Sequence, residues 1–105
     1  MPEPSPRFSP DVAAARTDLI ALRRQLHAEP ELAFKETRTA AAVAEHLAVP
    51  GIALRTGVAG TGVVATIRGG RPGRTVLLRA DMDALPIQEA TGAPYASRIA
   101  GVMHA

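Results

Sequence analysis

The residues best suited to chemistry are two carboxylates that follow an apolar run. Asp81 and Asp83 stand shortly after the run 76–78, in an Asp-x-Asp arrangement. A strand ending in such a pair places both at the carboxyl edge of a sheet, where open α/β sheets hold ligands. Two apart in extended chain, they point the same way and could hold a metal ion or orient a metal-binding histidine. Equally, one could cap the following turn while the other is solvated.

The histidines and glycines carry weaker signals. His27, His46 and His104 lie far apart and show no metal-ligand spacing. We interpret the first two as structural or surface residues near helix ends, and spacing alone assigns no role to the third. The glycine-rich stretch 57–62 precedes the β-branched run 63–67 rather than a helix. It therefore predicts a tight turn between strands, and a nucleotide-binding module is a weak alternative.

Two helices and a meander would position these residues. Ser9 and Pro10 indicate a helix start, and helical spacing of apolar residues predicts one amphipathic helix ending near Pro30. A second helix is predicted over about 36–48. Extended runs follow at 52–55, 63–67 and 75–78, the last two as a hairpin. Because 76–78 is continuously apolar, we expect a strand buried on both faces. The fold class is α/β: two helices, then a β-meander leading to a buried strand, in an incomplete sheet.

The composition of the chain excludes several classes of function. The chain has 105 residues, a formal net charge of +2, three aromatic residues and no cysteine. These values argue against nucleic-acid binding and exclude a disulfide framework or a cysteine-based zinc site within these residues. No apolar stretch is long enough to span a bilayer, and the proline-rich opening does not resemble a secretory signal. We expect a disordered leader over 1–8, no membrane association and a cytoplasmic location.

Four motifs resemble one enzyme family. In chain order they cover 23–32, 57–65, 78–87 and 94–105, and the last ends in Gly-Val-Met-His-Ala. Together they resemble the hippurate hydrolase, N-acyl-amino-acid amidohydrolase and indole-acetyl-amino-acid hydrolase group of metallopeptidases. The resemblance runs from about residue 16 to the last residue. It implies that 9–105 is the N-terminal part of an α/β/α metallopeptidase catalytic domain.

The resemblance also implies what this segment lacks. In that group Met-His-Ala is followed at once by Cys-Gly-His-Asp, whose Cys and His bind a metal pair. Further ligands, the catalytic glutamate and a lid domain come later. We therefore expect a chain truncated before the metal ligands, without the lid, holding no metal and inactive by itself.

The resemblance assigns site roles to the two aspartates. Asp83 stands where the wider family has an aspartate that orients a metal-binding histidine, and Asp81 stands where that histidine would be. We name Asp83 and Asp81 as the candidate catalytic residues, with Asp83 the stronger. His27 and Glu31, in the first motif, are read as structural.

The activity implied for the whole enzyme is cleavage of the amide bond of N-acyl amino acids such as hippurate. Its cofactor would be a pair of divalent ions (Zn, Mn, Co or Ni), its partner a small-molecule substrate, and its assembly a homodimer when the lid is present. The alternative is a non-catalytic interaction module that pairs through open sheet edges.

Overall fold

The computed structural model describes residues 7–105. Most of the leader expected over 1–8 lies outside this range, so that prediction is not tested. The described elements are three helices and two strands: α1 (Pro10–Ala14), α2 (Arg16–Ala28), α3 (Thr37–Leu47), β1 (Ile52–Val58) and β2 (Gly62–Ile67). None of the described helices is long and apolar enough to cross a membrane.

The first predicted helix begins as expected but is divided in two. Ser9 Oγ accepts a hydrogen bond from the Val12 backbone N–H at 3.3 Å, and Pro10 occupies the first turn. At Ala15 the backbone N–H contacts the carbonyls of both Asp11 and Val12 at 3.2 Å, which tightens the turn and separates α1 from α2. The prediction of one continuous helix was therefore wrong. α1 buries no residue, so tertiary packing contributes little to its stability.

The two strands form an antiparallel hairpin and cover the runs 52–55 and 63–67, which the sequence predicted to be extended. Ile52 pairs with Ile67, and the register is irregular between Arg55 and Val58. The connecting turn has positive φ at Ala59 (52°) and Gly60 (99°). The glycine-rich stretch thus joins two strands, which confirms the predicted turn and removes the helix that a phosphate loop would need.

The third extended run is the main correction to the fold. In the described chain, 68–83 belongs to no strand. Val76, Leu77 and Leu78 are 81%, 86% and 90% exposed. The expected hairpin with β2 and the burial of this run were wrong, because a strand needs a bonded neighbour and its apolar side chains need covering layers. No described residue supplies them. The α/β class and the incomplete sheet are confirmed.

This exposed run should make the chain self-associate. Leu77→Lys adds a charge to the apolar run and is expected to weaken concentration-dependent association, because charges on an unpaired strand oppose edge-to-edge pairing. Sedimentation velocity over a concentration series measures the effect. Ala100→Lys adds the same charge at an exposed position away from the run and serves as the control. A wild-type chain that stays monomeric at every concentration would contradict the prediction.

Two bridges hold the segment that follows Asp83. The Ala84 backbone N–H donates to the Glu31 carbonyl at 2.8 Å, within a parallel bridge between Leu32 and Ala84. Leu85 and Met103 exchange two backbone hydrogen bonds of 2.9 and 3.0 Å. Ala84 is 3% exposed and therefore belongs to the small core. The residues after Asp83 are thus clamped between the α2–α3 connection and the last residues of the chain.

Candidate active site around Asp83

Asp81 and Asp83 lie in one open groove. Its volume is about 460 Å³, and residues of the hairpin turn also line it. Asp81 Oδ1 lies 2.9 Å from a guanidinium nitrogen of Arg79, in an exposed ion pair. Asp83 makes no ion pair or side-chain hydrogen bond with the part of the chain that the structure describes. The structure therefore brings both predicted residues together and leaves the Asp83 carboxylate the more available.

A buried glutamate joins the hairpin turn to the start of α3. Glu36 is 7% exposed; its Oε2 accepts from Thr61 Oγ1 at 2.7 Å and its Oε1 from the Phe34 backbone N–H at 2.9 Å. The hydrogen bond from Thr61, aided by that from Phe34, lowers the pKa of Glu36 below its ordinary value, against the opposing effect of burial. Phe34 has a left-handed backbone, with φ of 61°. Sequence reasoning missed Glu36 because its partner Thr61 is 25 residues away.

Glu31 caps α3 from six residues before the helix. Its Oε1 accepts from the Thr39 backbone N–H at 2.6 Å and from Thr39 Oγ1 at 2.8 Å, and its Oε2 accepts from the Arg38 backbone N–H at 3.2 Å. Burial raises the pKa of Glu31, but the hydrogen bonds from Thr39 and Arg38 and the charge of Arg38 together lower it below its ordinary value. These contacts agree with the structural interpretation of Glu31.

His27 anchors the loop after Asp83 to α2. Its Nε2 lies 2.8 Å from Glu89 Oε1, which also accepts from the Ser97 backbone N–H at 2.9 Å. Thr91 donates to the other carboxylate oxygen. Hydrogen bonds from Thr91, Ser97 and His27 lower the pKa of Glu89 below its ordinary value. The ring of Tyr95 meets His27 edge-on, with centroids 5.8 Å apart.

His104, to which spacing assigned no role, lies close to both His27 and Asp83. Its ring centroid is 6.4 Å from that of His27. Its Nε2 is buried and has no hydrogen-bond partner among the described residues. Burial and the charge of His27 lower the pKa of His104, while the charge and backbone of Asp83 oppose that shift. A buried imidazole nitrogen without a hydrogen-bond partner is uncommon and requires an explanation.

These residues do not fit a metal pair by themselves. In the range 7–105, no group of three or more His, Asp or Glu side chains is placed to hold a metal ion together. A catalytic zinc site typically takes three protein ligands.

The sequence of the chain is similar to those of known enzymes. No protein-family model matches the chain. The chain is 50% identical over 94 residues to the N-acyl-L-amino acid amidohydrolase of Geobacillus stearothermophilus, covering 90% of this chain and 25% of that enzyme. It is 48% identical over 96 residues to thermostable carboxypeptidase 2 of Saccharolobus solfataricus, covering 90% of this chain and 24% of the relative.

A solved structure shows the same relationship. The Bacillus subtilis YXEP protein, described as a dinuclear metal binding peptidase from the M20 family, matches with a TM-score of 0.81 and 43% identity. The match covers 88% of this chain and 26% of that protein. The chain thus spans about a quarter of the length of these relatives. Over the matched residues, the chain is similar to amidohydrolases and to a peptidase of the M20 family.

Proposed function

We propose that this chain is the N-terminal part of a metal-dependent amidohydrolase that cleaves the amide bond of N-acyl amino acids, including hippurate-like substrates. The observation that carries the proposal is the 50% identity to an N-acyl-L-amino acid amidohydrolase over 94 residues, a stretch long enough to include Asp81 and Asp83. Location in the cytoplasm and homodimer formation by the complete enzyme belong to the same proposal.

The chain contributes a positioned carboxylate to this chemistry. The bridges to Leu32 and Met103 hold the backbone immediately after Asp83, and the carboxylate lies in the open groove. A carboxylate fixed in this way can accept a hydrogen bond from an imidazole and so set its orientation. Asp81 is held by Arg79, which leaves it a smaller role. The resemblance implies that the divalent metal pair and its ligands lie beyond the segment that this chain spans.

The test compares the chain with a rebuilt enzyme, in which these 105 residues replace the matching quarter of the Geobacillus amidohydrolase. We expect the rebuilt enzyme to release free amino acid from N-acyl amino acids and to lose this activity with a chelator. The chain alone should release none, because the described residues assemble no metal site. Hydrolysis by the chain alone, or a folded rebuilt enzyme that is inactive with Zn, Mn, Co and Ni, would contradict the proposal.

A second candidate function is favoured by the exposed run 76–78. Its three apolar side chains and unpaired backbone suit a module that binds by adding a strand. The two candidates differ in one result. If the rebuilt enzyme is inactive while the chain forms a stable complex of fixed stoichiometry through 76–78, the interaction module is the better account.

A further inference from the structure

Among the polar side chains of the described residues, His104 is the one whose burial does not stabilise the fold in an evident way. Glu31, Glu36 and Glu89 each accept two or more hydrogen bonds and tie elements of the fold together. His104 Nε2, by contrast, is buried without a partner among the residues described. Burying a polar nitrogen without a partner costs free energy, so packing alone does not account for a histidine at this position.

The backbone places this imidazole beside Asp83. Met103 exchanges hydrogen bonds with Leu85, so His104 follows one side of the bridge while Ala84 and Asp83 precede the other. The imidazole lies close enough to Asp83 for both its carboxylate and its backbone to act on the ring electrostatically. In this antiparallel bridge Ala84 lies opposite His104 and Asp83 is the next residue along, so the bridge brings His104 close to the backbone of Asp83.

His27 and Glu89 support the position of the His104 ring. His27 packs against it with ring planes inclined by 39°, and the Nε2 of His27 is itself held by Glu89 Oε1 at 2.8 Å. The side chain of Glu89 is 2% exposed and that of His27 is 14% exposed. Glu89 therefore holds His27, His27 lies against His104, and His104 lies close to Asp83.

We propose that His104 is a positioning residue of the amidohydrolase site, which lies against His27 and the backbone of Asp83 and so holds the backbone from which the Asp83 carboxylate extends. The inference rests on the proposed function and extends it to a residue that the resemblance left without a role. His104 acts through Asp83. Its unpaired Nε2 is the atom available to a hydrogen-bond donor from the remainder of the enzyme.

The first test measures coupling in the 105-residue chain without using activity. The chain contains three histidines, so nitrogen NMR shifts of ¹⁵N-histidine can be assigned with one His→Gln variant each. Spectra are recorded at fixed neutral pH and at a concentration where sedimentation shows a monomer. Asp83→Asn should shift the ring nitrogens of His104 and leave those of His46, which is exposed on α3, in place. Asp81→Asn is the matched control. Unchanged His104 signals in Asp83→Asn, or equal shifts in both variants, would overturn the proposal.

The second test uses the rebuilt enzyme. His104→Ala should lower kcat about 10- to 100-fold with little change in KM, the range expected when a group supporting an active site is lost. His104→Asn should recover part of this loss, since its amide can replace the ring nitrogen nearer the backbone, whereas His46→Gln should have no effect. Combining His104→Ala with Asp83→Asn should add little to either change alone.

The outcomes separate the two proposals. A rebuilt enzyme without activity refutes the proposed function, and the NMR result still decides whether His104 is coupled to Asp83. An active rebuilt enzyme in which His104→Ala keeps full turnover, or in which the two losses multiply, refutes the positioning role alone.

Discussion

Replacing Asp83 with asparagine in the rebuilt enzyme is expected to lower kcat/KM by about 10- to 100-fold at limiting metal. Asparagine keeps the shape of the side chain and removes its charge, so a partner imidazole loses the acceptor that orients it. Steady-state kinetics at several metal concentrations measure the loss. Circular dichroism should show an unchanged fold, because the Asp83 side chain lies in the groove and makes no hydrogen bond within the described residues.

Asp81→Asn is the matched control for this prediction. It makes the same chemical change two residues earlier, where the carboxylate is held by Arg79 in an exposed ion pair. Exposed pairs of this kind contribute little to stability, so we expect the smaller loss of activity there. If Asp83→Asn keeps nearly full turnover, or if Asp81→Asn is the more damaging, the assignment of roles at this position is wrong.

Replacing Glu31 with glutamine is expected to destabilise the fold by about 2 kcal/mol, the upper part of the range for losing a helix cap. The Glu31 carboxylate receives the N–H of Arg38 and both donors of Thr39, at the positive end of α3. The amide of glutamine keeps one acceptor oxygen and turns an NH₂ group toward donors. Thr39 is 4% exposed, so water cannot easily replace the lost acceptor.

Urea denaturation followed by circular dichroism measures this loss, in the Leu77→Lys background if association interferes. Glu45→Gln makes the same change at an exposed position on α3 and should shift the midpoint little. Equal effects of the two substitutions would show that the Glu31 contacts do not stabilise the fold.

The same carboxylate predicts a dependence of stability on pH. The folded pKa of Glu31 is lowered, so its contribution is fully present above the pKa of an unfolded glutamate, about 4.3. It is lost as pH falls from there through the folded value. The destabilisation caused by Glu31→Gln should therefore shrink in acid. A difference that stays constant from neutral pH down to about pH 3 would contradict this assignment.

Local chemistry in the sequence was sufficient for the elements whose stability is local. The Ser9 and Pro10 start, the end of α2 before Pro30 and the turn between β1 and β2 all depend on residues within a few positions. The four motifs between 23 and 105 were likewise enough to indicate the resemblance to amidohydrolases that the comparisons support, because they occur in order and are specific.

Tertiary structure decided the features that depend on distant partners. The run 76–78 has the composition of a buried strand, yet it stays exposed here because burial requires neighbours that the sequence of the run itself does not specify. Glu36 with Thr61, and His27 with Glu89, join residues 25 and 62 positions apart, and no local periodicity predicts such pairs. The same holds for His104, whose sequence context is uninformative. The bridge between Leu85 and Met103 places His104 close to Asp83. Hydrogen bonds between two backbone segments bring those segments together whatever their separation in sequence.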